Sequence, residues 1–313
     1  MTTLPINPFR FSLIGSATSP SQWRDLARRA EACGYSALLV PEHLDTPYST
    51  LSLMSIALEA TTTLRVGSHV LCNDLHNPTM LARDIATLDA FSHGRVELGI
   101  GAGNRPQDIA LAGVPFYSAG QRIERLEASV QHIKELFSQQ KGGGENPEGI
   151  SHADTLAFPP VIQHPHPPIY IGGGGKKMLA VAARQANIIG ITAKAGGAHG
   201  HLDLNDITPE LLQAKIGWIR EAAGERFSSL EFSMPLLGIA LTEQHRQGFN
   251  WAARMFGFTV EQLEKSLLSV SGTVDSISDE LYRRRELYGI SYFTMGAINL
   301  ERFAPIVERL SGK

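Results

Sequence analysis

Residues 64–104, LRVGSHVLCNDLHNPTMLARDIATLDAFSHGRVELGIGAGN, decide the fold. Leu64–Leu71 and Arg95–Gly101 have the apolar content of buried strands. Between them an apolar-periodic helix opens at Pro78 and ends near Phe91. Strand, helix, strand at this spacing is one βαβ unit, which joins parallel strands. The first strand runs into Cys72-Asn73-Asp74-Leu75-His76-Asn77 and the second into Gly101-Ala102-Gly103-Asn104. Loops past the C-terminal ends of parallel strands are where α/β proteins build sites. The segment therefore predicts an architecture and the end of it at which chemistry occurs.

Working outward, the alternation repeats. Phe9–Ile14 reads as a strand, Ser19-Pro20-Ser21 starts a helix reaching Cys33 before Gly34, and Ser36–Val40 is a second strand. Polar Pro41–Thr50 leads to an apolar helix at Leu51–Ala60. Gly120–Gln139 is a long helix with Ile123, Leu126, Val130, Ile133 and Phe137 on one face. Lys141–Pro168, rich in Gly, Pro, Asn and His, is too long for a tight connection and reads as an excursion. Strand Ile169–Gly172, helix Lys176–Gln185, strand Asn187–Ile191, helix Pro209–Ala223 and strand Leu230–Leu241 follow. A helical region Glu243–Leu268, helix Thr273–Tyr288, strand Ile290–Met295 and helix Leu300–Leu310 close the chain. Strands starting at Phe9, Ser36, Leu64, Arg95, Ile169, Asn187, Leu230 and Ile290, nearly all followed by helices, predict an α/β fold of the (β/α)8 TIM-barrel type. The competing architecture is an open, doubly wound sheet. The barrel reading makes residues 1–313 a single domain with an insertion at about 141–168.

Composition narrows the function classes. Hydrophobic residues at 43% and charged residues at 19% are those of an ordinary globular chain with a large core. A net charge of −3 argues against a nucleic-acid partner. The two cysteines, Cys33 and Cys72, form neither a disulfide framework nor a zinc motif. No signal-peptide pattern opens the chain and no run of about 18 apolar residues occurs, so a cytoplasmic protein with no membrane partner is expected.

Several motifs carry chemistry. Gly172-Gly173-Gly174-Gly175 joins a strand to a helix and is followed by Lys176 and Lys177. Without Cβ atoms such a backbone can approach a phosphate, and N–H groups at the helix start can donate to it. The loop has neither P-loop nor GxGxxG spacing, so the alternative is a flexible turn. Glu42-His43 sits just past the second strand; His can move a proton near neutral pH and Glu can orient it, although an exposed pair in a loop is ordinarily only solvated. His69, Asn73, Asp74 and His76 cluster at or beyond the third strand. With no dense set of further ligands they suit hydrogen bonding better than a metal, and His164, His166, His199 and His201 are equally weak as metal ligands. Arg122 and Arg125 share a helix face, where they form salt bridges or meet an acidic cofactor tail. No GxSxG elbow or Cys-His pair supports covalent catalysis.

The ensemble resembles the luciferase-like monooxygenase superfamily, and within it the oxidoreductases that use the deazaflavin coenzyme F420. The resemblance runs through Arg28–Tyr35, Val40–Leu44, Asn77-Pro78, Ala86–Arg95, Leu98–Gly103, Arg122–Glu127 and Pro168–Gly175. The TLDxxSxGRxxLGxGxG run is its most specific part. It implies a bacterial luciferase-like barrel with the cofactor ring at the C-terminal mouth, Lys141–Pro168 as part of an insertion over it, and Lys194–His201 as a mobile loop.

By position, the resemblance makes His43 the proton donor or acceptor, with Glu42 orienting it. It places a non-prolyl cis peptide at His69-Val70 behind the ring and gives Gly172, Gly173, Gly174 and Gly175 to the cofactor phosphate, to which Lys176 adds positive charge nearby. Asn73 and Asn104 become cofactor contacts, and Asp74 and His76 substrate contacts. Two departures stand out at Asn104, where some relatives have an acid and many a Trp, while Asp108 occupies a common downstream acidic position. The expected activity is hydride transfer between F420 and a small organic substrate, reducing a C=C or C=N bond, in a homodimer with no metal. The alternatives are an FMN-dependent monooxygenase on the same barrel and a cofactor-binding protein without catalysis.

Overall fold

The strands that the sequence marks out form a closed parallel barrel in the computed structural model, which describes residues 3–17, 19–139, 159–196, 201–241, 249–250, 252–254 and 257–313. They are β1 (Arg10–Ile14), β2 (Ala37–Val40), β3 (Arg65–Ser68), β4 (Val96–Gly101), β5 (Ile169–Gly173), β6 (Ile188–Ile191), β7 (Glu231–Leu236) and β8 (Ile290–Gly296). Each pairs in parallel with the next, and β8 pairs with β1 in the register Phe11↔Phe293, which closes the ring. The near-continuous apolar strands, such as the fully buried Ala37–Val40, follow from burial on both faces, between barrel interior and helices.

The segment 64–104 is stitched together by alternate glycines. Gly99, Gly101 and Gly103 face the chain running on from β3. A Cβ on Gly99 would lie 1.9 Å from the Ser68 carbonyl oxygen, on Gly101 2.8 Å from Val70, and on Gly103 2.5 Å from Cys72 Sγ. The Ser68 hydroxyl donates to the Gly99 carbonyl at 2.7 Å and accepts from its N–H at 2.9 Å. Past this contact the His69–Val70 peptide is cis, as expected, and Leu71–Cys72 pairs again with Ile100–Gly101. The LGxGxG run thus makes a slot that fixes residues 68–72.

The rest of the recognisable motif is scaffold too. Asp89, fully buried, accepts the N–H groups of Ile162 and Gln163 at 2.6 and 3.1 Å and the Gln163 amide at 2.7 Å, tying down the chain that enters β5. Arg95 donates to the carbonyls of Leu58 and Leu64 and to the Thr61 hydroxyl, satisfying acceptors around the end of the helix Thr50–Ala60.

Three expectations are revised. Leu230–Leu241 is two strands, because β7 stops at Leu236 and Gly238–Leu241 pairs in parallel with Ser269–Gly272 outside the barrel. The Leu237 N–H already donates to the Leu268 carbonyl at 2.6 Å, so the chain leaves the ring there. Glu243–Leu268 is not uniformly helical: its described parts include the helix Val260–Glu264 and the start of the strand Ser269–Gly272 follows directly. Residues 242–248, 251 and 255–256 lie outside the described residues, as do residue 140, 141–158 of the expected insertion and 197–200 of the expected mobile loop. Residues 159–168 carry neither helix nor strand. The short helix Pro106–Ala112 after β4 was not anticipated.

The two ends of the barrel differ in kind. At the N-terminal end Glu97 pairs with Arg10 and, at 2.7 Å, with Arg65; Arg10 also pairs with Glu231 at 2.7 Å, and the Tyr292 hydroxyl donates to Glu97 at 3.3 Å. Arg10, Arg65, Glu97 and Glu231 line a recess of about 430 Å³. Its charges are matched to one another, as befits the end of a barrel that serves stability. Among the described residues no helix is long and apolar enough to cross a membrane.

Candidate active site

At the C-terminal mouth, β2 delivers Glu42 and His43 to different partners. His43 Nδ1 lies 3.1 Å from Asp108 Oδ2, and the other Asp108 oxygen accepts the Leu44 N–H at 3.0 Å. A proton on Nδ1 donates to that carboxylate and leaves Nε2 as the free nitrogen of the ring. The His43 side chain is 39% exposed while Asp108 is 8% exposed, so a fixed, buried acid holds an accessible imidazole. Asp108 comes from the helix Pro106–Ala112, with Arg105 at 3.8 Å and bound itself to Asp45 at 2.6 Å.

Glu42 does not orient His43, contrary to the expectation from sequence. Its Oε2 accepts the Cys72 N–H at 2.7 Å and its Oε1 lies 2.8 Å from His76 Nε2. Neighbouring residues on extended chain point to opposite sides, so adjacent positions 42 and 43 serve different pairs. The mouth therefore holds two acid–imidazole pairs, Glu42–His76 and Asp108–His43. The second was missed for want of its carboxylate's partner, although an acid at 108 was itself visible.

The remaining residues of the β3 loop are mostly engaged. His69 Nε2 is 3.2 Å from the Tyr170 hydroxyl, and Val70 packs beside Tyr170, Ile188 and Tyr292 inside the barrel. Burial pushes His69 down to about 4 and Tyr170 up to about 12, so both are neutral at neutral pH. Asn73 is buried and donates to Asp74 Oδ1 at 3.3 Å; that oxygen also accepts from Arg125 Nε at 2.8 Å. Asp74 is thus ion-paired to the helix Ala119–Gln139 rather than presented to a substrate, with Oδ2 left buried and without a protein partner. Arg122 donates to the carbonyls of Gly103 and Tyr117 and lies over the Phe116 ring. Both arginines act within the protein. Asn104 is exposed beyond β4.

The four glycines have unequal roles. Gly174 packs so tightly on the next loop that a Cβ would sit 2.5 Å from Ala193 C and Lys194 N, and a Cβ on Gly173 would meet Met178 at 2.5 Å. Around Gly175 there is open space, and this residue precedes the helix Lys176–Gln185 without capping it through a side chain. The first N–H groups of a helix lack partners within it, and nearby the Thr192 hydroxyl is buried with no protein partner. A phosphate group fits this set: free N–H donors at a helix start, a hydroxyl, and room for oxygen atoms. Lys176 contributes less than expected, since it projects outward with Nζ 3.8 Å from Glu221, and Lys177 pairs with Glu124 at 2.7 Å. Among the described residues no group of three or more His, Cys, Asp or Glu could hold a metal ion.

Comparison with known proteins gives the fold its relatives. An uncharacterized protein of Mycobacterium tuberculosis is 28% identical over 243 residues, covering 69% of this chain and 77% of that one. The F420-dependent tetrahydromethanopterin reductase of Methanopyrus kandleri superposes with a TM-score of 0.72 at 17% identity, over 98% of each chain. An F420-dependent secondary alcohol dehydrogenase superposes with a TM-score of 0.70 at 16% identity, over 97% of this chain and 98% of its own. The long-chain alkane monooxygenase LadA gives 0.71 at 15%, over 99% and 92%. These structural likenesses are of fold. Residues 6–207 match the family model of luciferase-like monooxygenases, so the chain belongs to the luciferase-like monooxygenase family.

Proposed function

We propose that the protein is an oxidoreductase that binds the deazaflavin coenzyme F420 at the C-terminal mouth of its barrel. In this reading it moves a hydride between that cofactor and a small organic substrate, reducing a C=C or C=N bond. The cofactor supplies the hydride chemistry; the protein supplies orientation, exclusion of water and a proton. The observation that carries the reading is the Asp108–His43 pair. Reduction of a double bond requires a proton as well as a hydride. His43, with Nδ1 held by a buried carboxylate and Nε2 free, is built to carry one.

Other groups have supporting roles. Glu42 holds the Cys72 backbone and His76 in place, so it shapes the wall of the mouth. His69 and Val70 form its floor, with the neutral His69 locked to Tyr170. Gly175, the start of the following helix and Thr192 would hold the cofactor phosphate. Two proteins of the same fold bear F420 in their names, which favours the deazaflavin over FMN as the first cofactor to test.

The test is anaerobic titration of the protein with reduced F420 and reduced FMN, followed by turnover against a panel of activated alkenes and imines. Tighter binding of F420, with substrate reduction in the absence of oxygen, is the expected result. Tight FMN binding with oxygen-dependent product would replace the proposal with a monooxygenase. Binding with no turnover of any panel member would leave a cofactor-binding protein. The family resemblance further carries the proposal of a cytoplasmic homodimer, for which sedimentation velocity is the check of assembly.

A further inference from the structure

Lys215 is fully buried in the helix Pro209–Ala223 and has no place among the groups described so far. Its Nζ donates to the Gly174 carbonyl at 2.5 Å and to Asp206 Oδ2 at 2.6 Å. Asp206 Oδ2 in turn accepts the backbone N–H of Lys194 at 2.8 Å, and Asp206 Oδ1 lies 3.4 Å from Lys194 Nζ. One buried ammonium is thus tied directly to the glycine loop after β5 and, through one carboxylate, to the loop after β6. The two loops also touch backbone to backbone at Gly174 and Ala193, and the Thr192 N–H donates to Gly173 at 3.2 Å. Burial alone would raise Asp206, but the hydrogen bonds from Lys215 and the Lys194 backbone hold it below its usual range.

Such a pair adds little net stability, because desolvating two charges offsets their attraction. Its salt bridge is also internally neutral, so it adds little attraction for an anion. What remains is direction. In a planar trans peptide the C=O and N–H of one unit point opposite ways. With the Gly174 carbonyl pulled inward to Lys215, the Gly175 N–H of that same unit is turned outward. The Lys194 contact meanwhile fixes the strand end that carries the Thr192 hydroxyl.

We propose that Lys215 is the positioning residue of the phosphate subsite: through Gly174 and Asp206 it aims the Gly175 N–H and the Thr192 hydroxyl at the cofactor's phosphate group. The inference rests on the reading of that loop as the cofactor-phosphate site, and it assigns the phosphate preference to a residue that does not touch the phosphate.

The test compares phosphorylated and phosphate-free forms of one ring system: FMN against riboflavin, and the 5′-phosphate of the ribityl deazaflavin against the unphosphorylated ribityl deazaflavin, by fluorescence titration of the full chain. Wild type is expected to bind the phosphorylated member of at least one pair about tenfold or more tightly. Lys215→Met is expected to cut that ratio to within about threefold of unity while the phosphate-free form binds within twofold of wild type. Because removing one partner of a buried pair can unfold a protein, the double variant Lys215→Met/Asp206→Asn is measured alongside and is expected to show the same loss of preference. A preserved ratio in a folded variant overturns the proposal, as does an equal loss of affinity for both forms, which is the signature of a merely structural role. A wild type that prefers neither form would instead overturn the phosphate-site reading, and this inference with it.

Discussion

His43 and Glu42 are adjacent, yet their carboxylate and imidazole partners lie 65 and 34 residues away in sequence. Each pair makes a different prediction. His43→Ala should lower turnover by about 10²-fold or more, the usual worth of a general acid–base group, with cofactor affinity within a few-fold of wild type; stopped-flow and binding titrations separate the two. Asp108→Asn should keep cofactor binding but lower turnover, since the carboxylate that holds Nδ1–H is gone. An Asp108→Asn enzyme with unchanged turnover would remove the dyad from the mechanism. His69 makes a stability prediction. Its proton affinity is depressed to about 4 from an ordinary 6.5 by burial. A depressed histidine favours the fold fully above the unfolded value, and the contribution is lost as pH falls through 6.5 toward 4. Denaturant midpoints should therefore fall over that window, and His69→Gln should flatten the slope.

At the scale of elements, the glycines of β4 decide whether the 68–72 segment can seat. A Cβ at Gly99 would meet backbone, the Ser68 carbonyl oxygen at 1.9 Å, whereas one at Gly101 would meet the side chain of Val70 at 2.8 Å. Backbone cannot step aside and a side chain can. Gly99→Ala should cost about 3 kcal/mol or more and yield little folded protein. Gly101→Ala should fold but displace Val70 and weaken cofactor binding; melting curves and titration of soluble protein distinguish the two. A second element-scale contact is the latch of Glu31, whose Oε1 accepts the N–H groups of Thr62, Thr63 and Leu64 at 2.8, 2.6 and 3.0 Å. It joins the helix Pro20–Ala32 to the entry of β3. Although burial opposes it, this cluster of donors holds Glu31 at about 2. Its contribution is present above the unfolded value near 4.5 and is lost as pH falls toward 2.

Across the whole molecule, a matched cluster of charges and the candidate site stand at opposite ends of one barrel. The Glu97 carboxylate gathers Arg10 from β1, Arg65 from β3 and Tyr292 from β8 at the N-terminal end. Removing it leaves Arg65 without a carboxylate partner and Arg10 with Glu231 alone, so Glu97→Ala should cost about 3 kcal/mol. Because the mouth with His43 lies beyond the other end of the strands, cofactor affinity of the protein that remains folded should be unchanged at low temperature. Loss of affinity in parallel with stability would show that the two ends are coupled.

The barrel was legible because strand and helix periodicities, and the glycine and proline stops between them, are local properties; each of the eight strands begins within a residue of its expected start. Family membership was equally legible, in a run whose Asp89 and Arg95 turn out to hold the scaffold rather than the site. The split of Leu230–Leu241 was not legible, since nothing local says that Gly238–Leu241 will find Ser269–Gly272. Nor were the dyads. Residue types at the mouth could be named from sequence: Glu42, His43, Asp74, His76 and Asp108. Which acid serves which imidazole, and that Asp74 goes to Arg125, depends on where separate loops converge and on how side chains alternate along each strand end. Lys215 lies furthest from sequence reading, because an isolated lysine in an amphipathic helix looks solvated until the fold buries it against Gly174 and Asp206. The sequence by itself determined the architecture and the residue types gathered at the C-terminal end of its strands; tertiary structure alone decided the partners, because pairing of charges is a matter of distance in space.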